Sequence, residues 1–198
     1  VEKMTDGQTD VPAGKIANVM TFLEMSAMPQ LRPDRIARPL TLTRWQRPDL
    51  DEYRALFHRV GDPYLWFARL ELGDDELAGI LNDPNDEIYI ARDEKDVAGW
   101  FELDFRKAHE CELRYFGLVP EAVGTGAGRW LMNRVLERAW ARPVRRFWLK
   151  TCTLDHPGAL DFYRRSGLTP FQRAIEIADD PRLRGLVPRD AAPGVPLL

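Results

Sequence analysis

The period of the apolar positions changes several times along the chain, and each change marks an element. Lys15–Met25 (KIANVMTFLEM) is apolar and β-capable and predicts a first strand. Ser26 to Pro39 carries Pro29, Pro33 and Pro39, which break regular structure, so it reads as a linker or an irregular wall. Leu40–Arg44 predicts a short second strand. After Pro48 and Asp49, the residues Leu50, Tyr53, Leu56, Phe57 and Val60 recur at helical spacing, and Gly61-Asp62-Pro63 ends that helix. Asp74–Asn82 predicts a second, short helix with Leu77, Ile80 and Leu81 inward. Glu87–Arg92, Val97–Arg106 and Cys111–Val119 follow as strands joined by polar turns, an antiparallel meander.

From Gly124 the period lengthens from about two to about 3.6. Gly128, Leu131, Met132, Val135, Leu136 and Ala139 form one stripe of a long helix that Pro143 stops. Arg146–Thr153 predicts a strand, Pro157–Ser166 a helix with Asp155 or His156 capping it, and Thr169–Ile177 a last strand. Residues 1–14 read as a loose arm and 179–198 as an irregular Pro-rich tail, and no internal repeat is visible. The order β-β-α-α-β-β-β-α-β-α-β gives an α/β or α+β fold around one mixed sheet.

Composition narrows the class without naming it. The 198 residues are 44% hydrophobic and 30% charged, values of a soluble globular chain with a real core. A formal net charge of −3 removes a global electrostatic case for nucleic acid or acidic membranes. Cys111 and Cys152 are too few for a disulfide framework and predict reduced thiols in a cytoplasmic protein. With His58, His109 and His156 they share no zinc-like spacing, so no metal is expected. No apolar run reaches a membrane span, and the polar start is not expected to be a signal peptide.

The chemistry concentrates in Leu113–Arg129 (LRYFGLVPEAVGTGAGR), a strand running into Gly124, Gly126 and Gly128 and then a helix. Glycines let backbone approach a ligand closely, and the helix start offers unpaired N–H groups and a positive dipole end, an anion site suited to pyrophosphate. The G-x-G-x-G spacing is neither a Walker loop nor a Rossmann turn. A tight strand-to-helix turn would show the same run.

Downstream, Asp155–Phe171 (DHPGALDFYRRSGLTPF) resembles the closing helix and strand of the GCN5-related N-acetyltransferase (GNAT) family, whose pattern is an Asn-like residue followed by A-x-x-F-Y-x-x-x-G-F. Here it stands as His156, Ala159, Phe162-Tyr163 and Gly167-Leu168. The family's Q/R-x-x-G-x-G/A loop resembles Val123–Gly128, and its hydrophobic-x-Pro-Glu segment resembles Leu118–Glu121. Val123 departs from the usual Arg or Gln, and His156 from the Asn. The resemblance covers roughly 40–178. It implies a mostly antiparallel mixed sheet whose central parallel strands, Cys111–Val119 and Arg146–Thr153, splay apart between flanking helices. On that reading, 1–39 is an arm with an extra strand that adds an edge strand or packs on another subunit.

The resemblance implies acetyl-CoA as co-substrate and direct transfer to a primary amine of a small molecule or protein. The pyrophosphate would sit on Val123, Gly124, Gly126, Ala127, Gly128 and Arg129, with His156 and Arg165 as further cofactor contacts. Backbone at Phe116 and Leu118 would pair the pantetheine arm like an added strand, the Leu118 N–H also meeting the thioester oxygen. Tyr163 would protonate the leaving thiolate. An alkylamine with a pKa of about 10 must lose a proton before attack, so a carboxylate base is expected. Glu112 is the first candidate, with Glu110 and Glu102 behind it. Glu112 also reads as a solvated strand residue or a partner of Arg114, Tyr163 as an inner-face aromatic, and Arg164 and Arg165 as a solvated helix face. Ser166 and Cys152 read as structural, because direct transfer needs no protein nucleophile. A homodimer is the default assembly. The alternative is a non-catalytic acyl-CoA-binding or sensing module.

Overall fold

The structure, a computed structural model, describes residues 6–94 and 96–198. The first five residues of the expected arm and Lys95, in the expected turn 93–96, lie outside the described residues. The elements are β1 (Lys15–Met25), β2 (Thr41–Arg44), α1 (Leu50–Gly61), α2 (Asp74–Leu81), β3 (Asp86–Asp93), β4 (Asp96–Asp104), β5 (Glu110–Leu118), α3 (Ala127–Trp140), β6 (Arg146–Cys152), α4 (Ala159–Arg165) and β7 (Thr169–Asp179). Their order is the one read from the sequence. The long helix starts three residues after Gly124, because Gly126 at φ 90° is its N-cap, and α4 starts at Ala159 rather than Pro157. Asp49 caps α1, its carboxylate accepting from the Asp51 and Glu52 amides at 3.0 and 3.1 Å.

All seven strands form one sheet in the order β2-β3-β4-β5-β6-β1-β7. Every neighbouring pair is antiparallel except β5 and β6, which α3 connects as a parallel crossover. The N-terminal strand is therefore not an edge. β1 lies inside the sheet, pairing with β6 through Met20–Met25 and with β7 through Lys15–Glu24. A row of backbone donors and acceptors is satisfied on both sides there, which a terminal edge strand would leave half open.

Two cores sandwich the sheet. On one face Leu131, Met132, Val135, Leu136 and Ala139 of α3 meet Phe101, Leu103, Leu113, Phe147 and Leu149 of the central strands. On the other, Tyr53, Phe57 and Val60 of α1 and Leu77 and Leu81 of α2 meet Ile88, Ile90 and Trp100. Fully burying each such large side chain contributes about 1.5–3 kcal/mol, which anchors both helix layers on the sheet. A β-bulge at Arg114, with Leu113 opposite Leu103 and Tyr115 opposite Glu102, bends β5 just before its open end.

Candidate active site

The site begins where β5 and β6 part. Their parallel ladder runs only from Glu110/Arg146 to Leu113/Leu149. Beyond it, Arg114–Leu118 and Lys150–Cys152 diverge around a cleft of about 850 Å³. The Val119 amide donates to the Ala98 carbonyl at 3.1 Å, continuing the β4–β5 register. Antiparallel pairs alternate, so Phe116 and Leu118 turn their N–H and C=O groups away from β4, toward the cleft. Their side chains pack against the α3 core instead.

At the strand's end the chain makes the glycine turn. Gly124 and Gly126 hold φ of 81° and 90°, a left-handed backbone that glycine adopts without strain. At Gly126 a Cβ would also run directly into the Arg35 carbonyl oxygen, because the segment between β1 and β2 crosses over the turn. The first bond of α3 joins the Trp130 amide to the Gly126 carbonyl, so the Gly128 and Arg129 amides have no partner within the helix. Val123, Gly124, Gly126, Gly128 and Arg129 line the cleft. Ala127 does not: it is buried in the α1-side core, and its amide meets the Thr125 hydroxyl at 3.4 Å.

Four arginines, Arg32, Arg35, Arg129 and Arg165, line the same cleft, and none of them forms a salt bridge among the described residues. Arg32 and Arg35 come from the Pro-rich segment, which the sequence offered only as a linker or wall. That segment is tied to α3: Asn133 Nδ2 donates to the Arg32 carbonyl at 2.7 Å and to Asp34 at 2.6 Å. His156 lines the cleft with its Nδ1 accepting from the Gly158 amide at 3.0 Å, which leaves the other ring nitrogen free for a ligand.

Tyr163 lines the cleft from α4, edge-on to Phe116 and Phe162 at 6.3 and 5.4 Å. Burial, and secondarily Asp155, holds its phenol well above the usual tyrosine range, so it stays a proton donor. Glu112 is not brought to the cleft lining. It is 8% exposed, opposite Asp104 on β4, and pairs with Arg114 at 3.4 Å. Burial raises its carboxyl. Glu102 is fully buried opposite Tyr115 in the β4–β5 register, held by Arg69 and by the Tyr53 hydroxyl at 3.0 Å. Glu110 pairs with Lys107 and Arg146 at the closed end of the strands.

The far wall comes from the loop between α1 and α2. Trp66 packs on Phe57 and Tyr115 at 5.8 and 5.5 Å, and its indole N–H donates across the cleft to Asp155 at 3.0 Å. Asp155 also accepts from Thr151 and the Cys152 amide at 2.8 and 2.9 Å, so it ties this wall to the end of β6. Cys152 lines the cleft, but burial pushes its thiol up to about 11, the opposite of an activated nucleophile.

The Acetyltransferase (GNAT) family profile matches residues 35–168, well over half of the chain. The chain belongs to the GNAT family. No curated protein matches it. Among solved structures, it is similar to a GCN5-related N-acetyltransferase from Sphaerobacter thermophilus, at 18% identity and TM-score 0.57 over 82% of this chain and 52% of that one. A functionally unknown conserved protein from Staphylococcus epidermidis matches at 16% identity and TM-score 0.53, over 84% and 64%. An aminoglycoside acetyltransferase from an uncultured soil metagenomic sample matches at 17% and 0.53, over 64% and 86%. At such identities the likeness is one of fold. The chain spans less than two thirds of the Sphaerobacter and Staphylococcus proteins. Among the described residues, no helix is long and apolar enough to cross a membrane.

Sequence reasoning missed Arg32, Arg35 and Trp66, and also Asn18 and Glu176, which line the cleft from β1 and β7. Asn18 had a signal: a polar amide inside the run IANVMTFL, in phase with Ile16 on the buried face of the strand, needs a partner.

Proposed function

We propose that this GNAT protein transfers an acetyl group from acetyl-CoA directly to a primary amine of a small molecule or protein. The observation that carries the reading is the parting of β5 and β6 after four paired positions, which leaves Phe116 and Leu118 backbone groups facing a cleft that ends on the glycine turn. The residues fit the co-substrate. Free strand edge suits the amides of a pantetheine arm. The unpaired amides of Gly128 and Arg129, with four unpaired arginines, suit its phosphates.

Acetyl-CoA supplies an acyl group already activated as a thioester. The Leu118 N–H would stabilise the charge that develops on the carbonyl oxygen during attack. Tyr163, kept protonated by burial, would give its proton to the departing thiolate, and the proton that the ammonium must lose before attack would pass to solvent in the open cleft, since Glu102, Glu110 and Glu112 do not line it. The Trp66 wall would give the acceptor an apolar surface beside β5.

Calorimetric titration of acetyl-CoA into the full chain tests this. Val123 is 46% exposed on the cleft with ordinary φ, so Val123→Asp adds a charge there without backbone strain. Saturable micromolar binding that weakens about tenfold or more in Val123→Asp, together with thiol release on a primary-amine panel, is the expected result. Binding without turnover on any amine would leave a sensing module. No binding would overturn the reading.

A further inference from the structure

The cleft contains a polar pair that acetyl transfer, as described above, does not use. Asn18 of β1 and Glu176 of β7 are directly opposite in the antiparallel register. They stand 158 residues apart in the chain, and Asn18 Nδ2 donates to Glu176 Oε2 at 2.9 Å. A carboxylate only accepts hydrogen bonds, so this contact fixes the amide's orientation and directs Oδ1 away from Glu176. Asn18 is 5% exposed, lines the cleft, and its Oδ1 has no hydrogen-bond partner. A buried acceptor left unpaired is costly, and a ligand donor would satisfy it.

The charges around it select the donor. Of the carboxylates on the cleft, Asp155 already accepts from three donors, and Glu71 is paired with Arg184. Glu176 forms no salt bridge among the described residues, which leaves one carboxylate with an unmatched charge beside one unpaired amide oxygen. Lys150 also lines the cleft, and its charge opposes a second cation on a ligand. The facing wall, Tyr64–Phe67, is apolar and aromatic.

We infer that Asn18 and Glu176 form an ammonium subsite that takes a single primary alkylammonium group carried on an apolar or aromatic body. As the acceptor's recognition site, it rests on the acetyl-transfer reading. As a binding site, it stands on its own geometry. Asn18 Oδ1 accepts one ammonium hydrogen, Glu176 a second, and the Trp66 wall covers the body of the molecule.

The test is calorimetric binding of 2-phenylethylamine to the full chain with CoA present, against 2-phenylethanol and 1,5-diaminopentane. The expected order is the amine first, with the alcohol and the diamine each about tenfold or more weaker. Glu176→Gln keeps the shape and removes the charge, and should abolish the preference for amine over alcohol. Asn18→Ala should weaken the amine about tenfold, with acetyl-CoA affinity and thermal midpoint close to wild type in both variants. Equal binding of amine and alcohol, or amine binding unchanged in Glu176→Gln, overturns the subsite. So does absence of amine binding in a chain that binds acetyl-CoA. Amine binding with these sensitivities in a chain that does not bind acetyl-CoA would keep the subsite and overturn acetyl transfer. Should Asn18→Ala not fold, Glu176→Gln alone decides.

Discussion

Replacing Arg69 with Met should cost about 3–5 kcal/mol, because it removes one member of a buried ion cluster and strands the others. Arg69 is 6% exposed, contacts the fully buried Glu102, stands 3.8 Å from the 4%-exposed Asp86, and lies over the Tyr115 ring at 5.4 Å. Methionine fills part of the volume but leaves the Glu102 carboxylate, beside the Asp86 carboxyl, in the core without its cation. That is a large part of the 5–15 kcal/mol typical of a folded domain. The loss should depend on pH. Burial, and the charge of Glu102, already push the Asp86 carboxyl up to about 8, with Arg69 opposing the rise. An acid whose folded pKa is raised adds stability that is fully present below its unfolded value, about 4, and lost as pH rises toward the folded one. Below pH 8 both folded proteins keep the Asp86 proton and lose stability in parallel; without Arg69 the rise is larger and the loss continues to higher pH, so the penalty should be greater at pH 9 than at pH 6. Urea denaturation of both proteins at the two pH values, with equal m-values, measures it. A penalty under about 1 kcal/mol, or one that does not grow with pH, would show that the cluster is not held as an ion pair and refute the reasoning.

Further outcomes follow from the cleft. Arg32→Ala/Arg35→Ala should weaken acetyl-CoA binding by about tenfold and flatten its dependence on salt, read by titration at two ionic strengths. Tyr163→Phe should lower kcat by about 10²-fold or more while acetyl-CoA affinity holds, because the phenol's role is proton transfer; an unchanged kcat would return Tyr163 to packing alone. Gly124 and Gly126 share a left-handed φ, yet Gly124→Ala meets nothing within 4 Å, while Gly126→Ala meets the Arg35 carbonyl. The first should cost about 1–2 kcal/mol and the second clearly more, measured by thermal unfolding.

The residues themselves determined the elements, because periodicity is a local property. A 3.6-residue stripe such as Leu131, Val135 and Leu136 must bury one face of a helix, and alternation in Glu87–Arg92 marks a strand, both faces of which are buried from Asp86 to Ala91. The glycine turn and the Phe162-Tyr163 helix were legible for the same reason: each is a short run whose chemistry lies in contiguous residues. Tertiary structure decided what distant segments do to one another. It set β1 between β6 and β7, where pattern alone could say only that a strand exists. It turned Glu112 toward Arg114 and Asp104, away from the cleft, since alternation fixes opposite faces without saying what covers either. It laid the Pro-rich segment over the glycine turn with Arg32 and Arg35 on the cleft, and it brought Asn18 and Glu176 together from the two ends of the chain. Strand pairing across such separations is selected by the burial of the whole sheet, a global free energy that no local window of sequence contains.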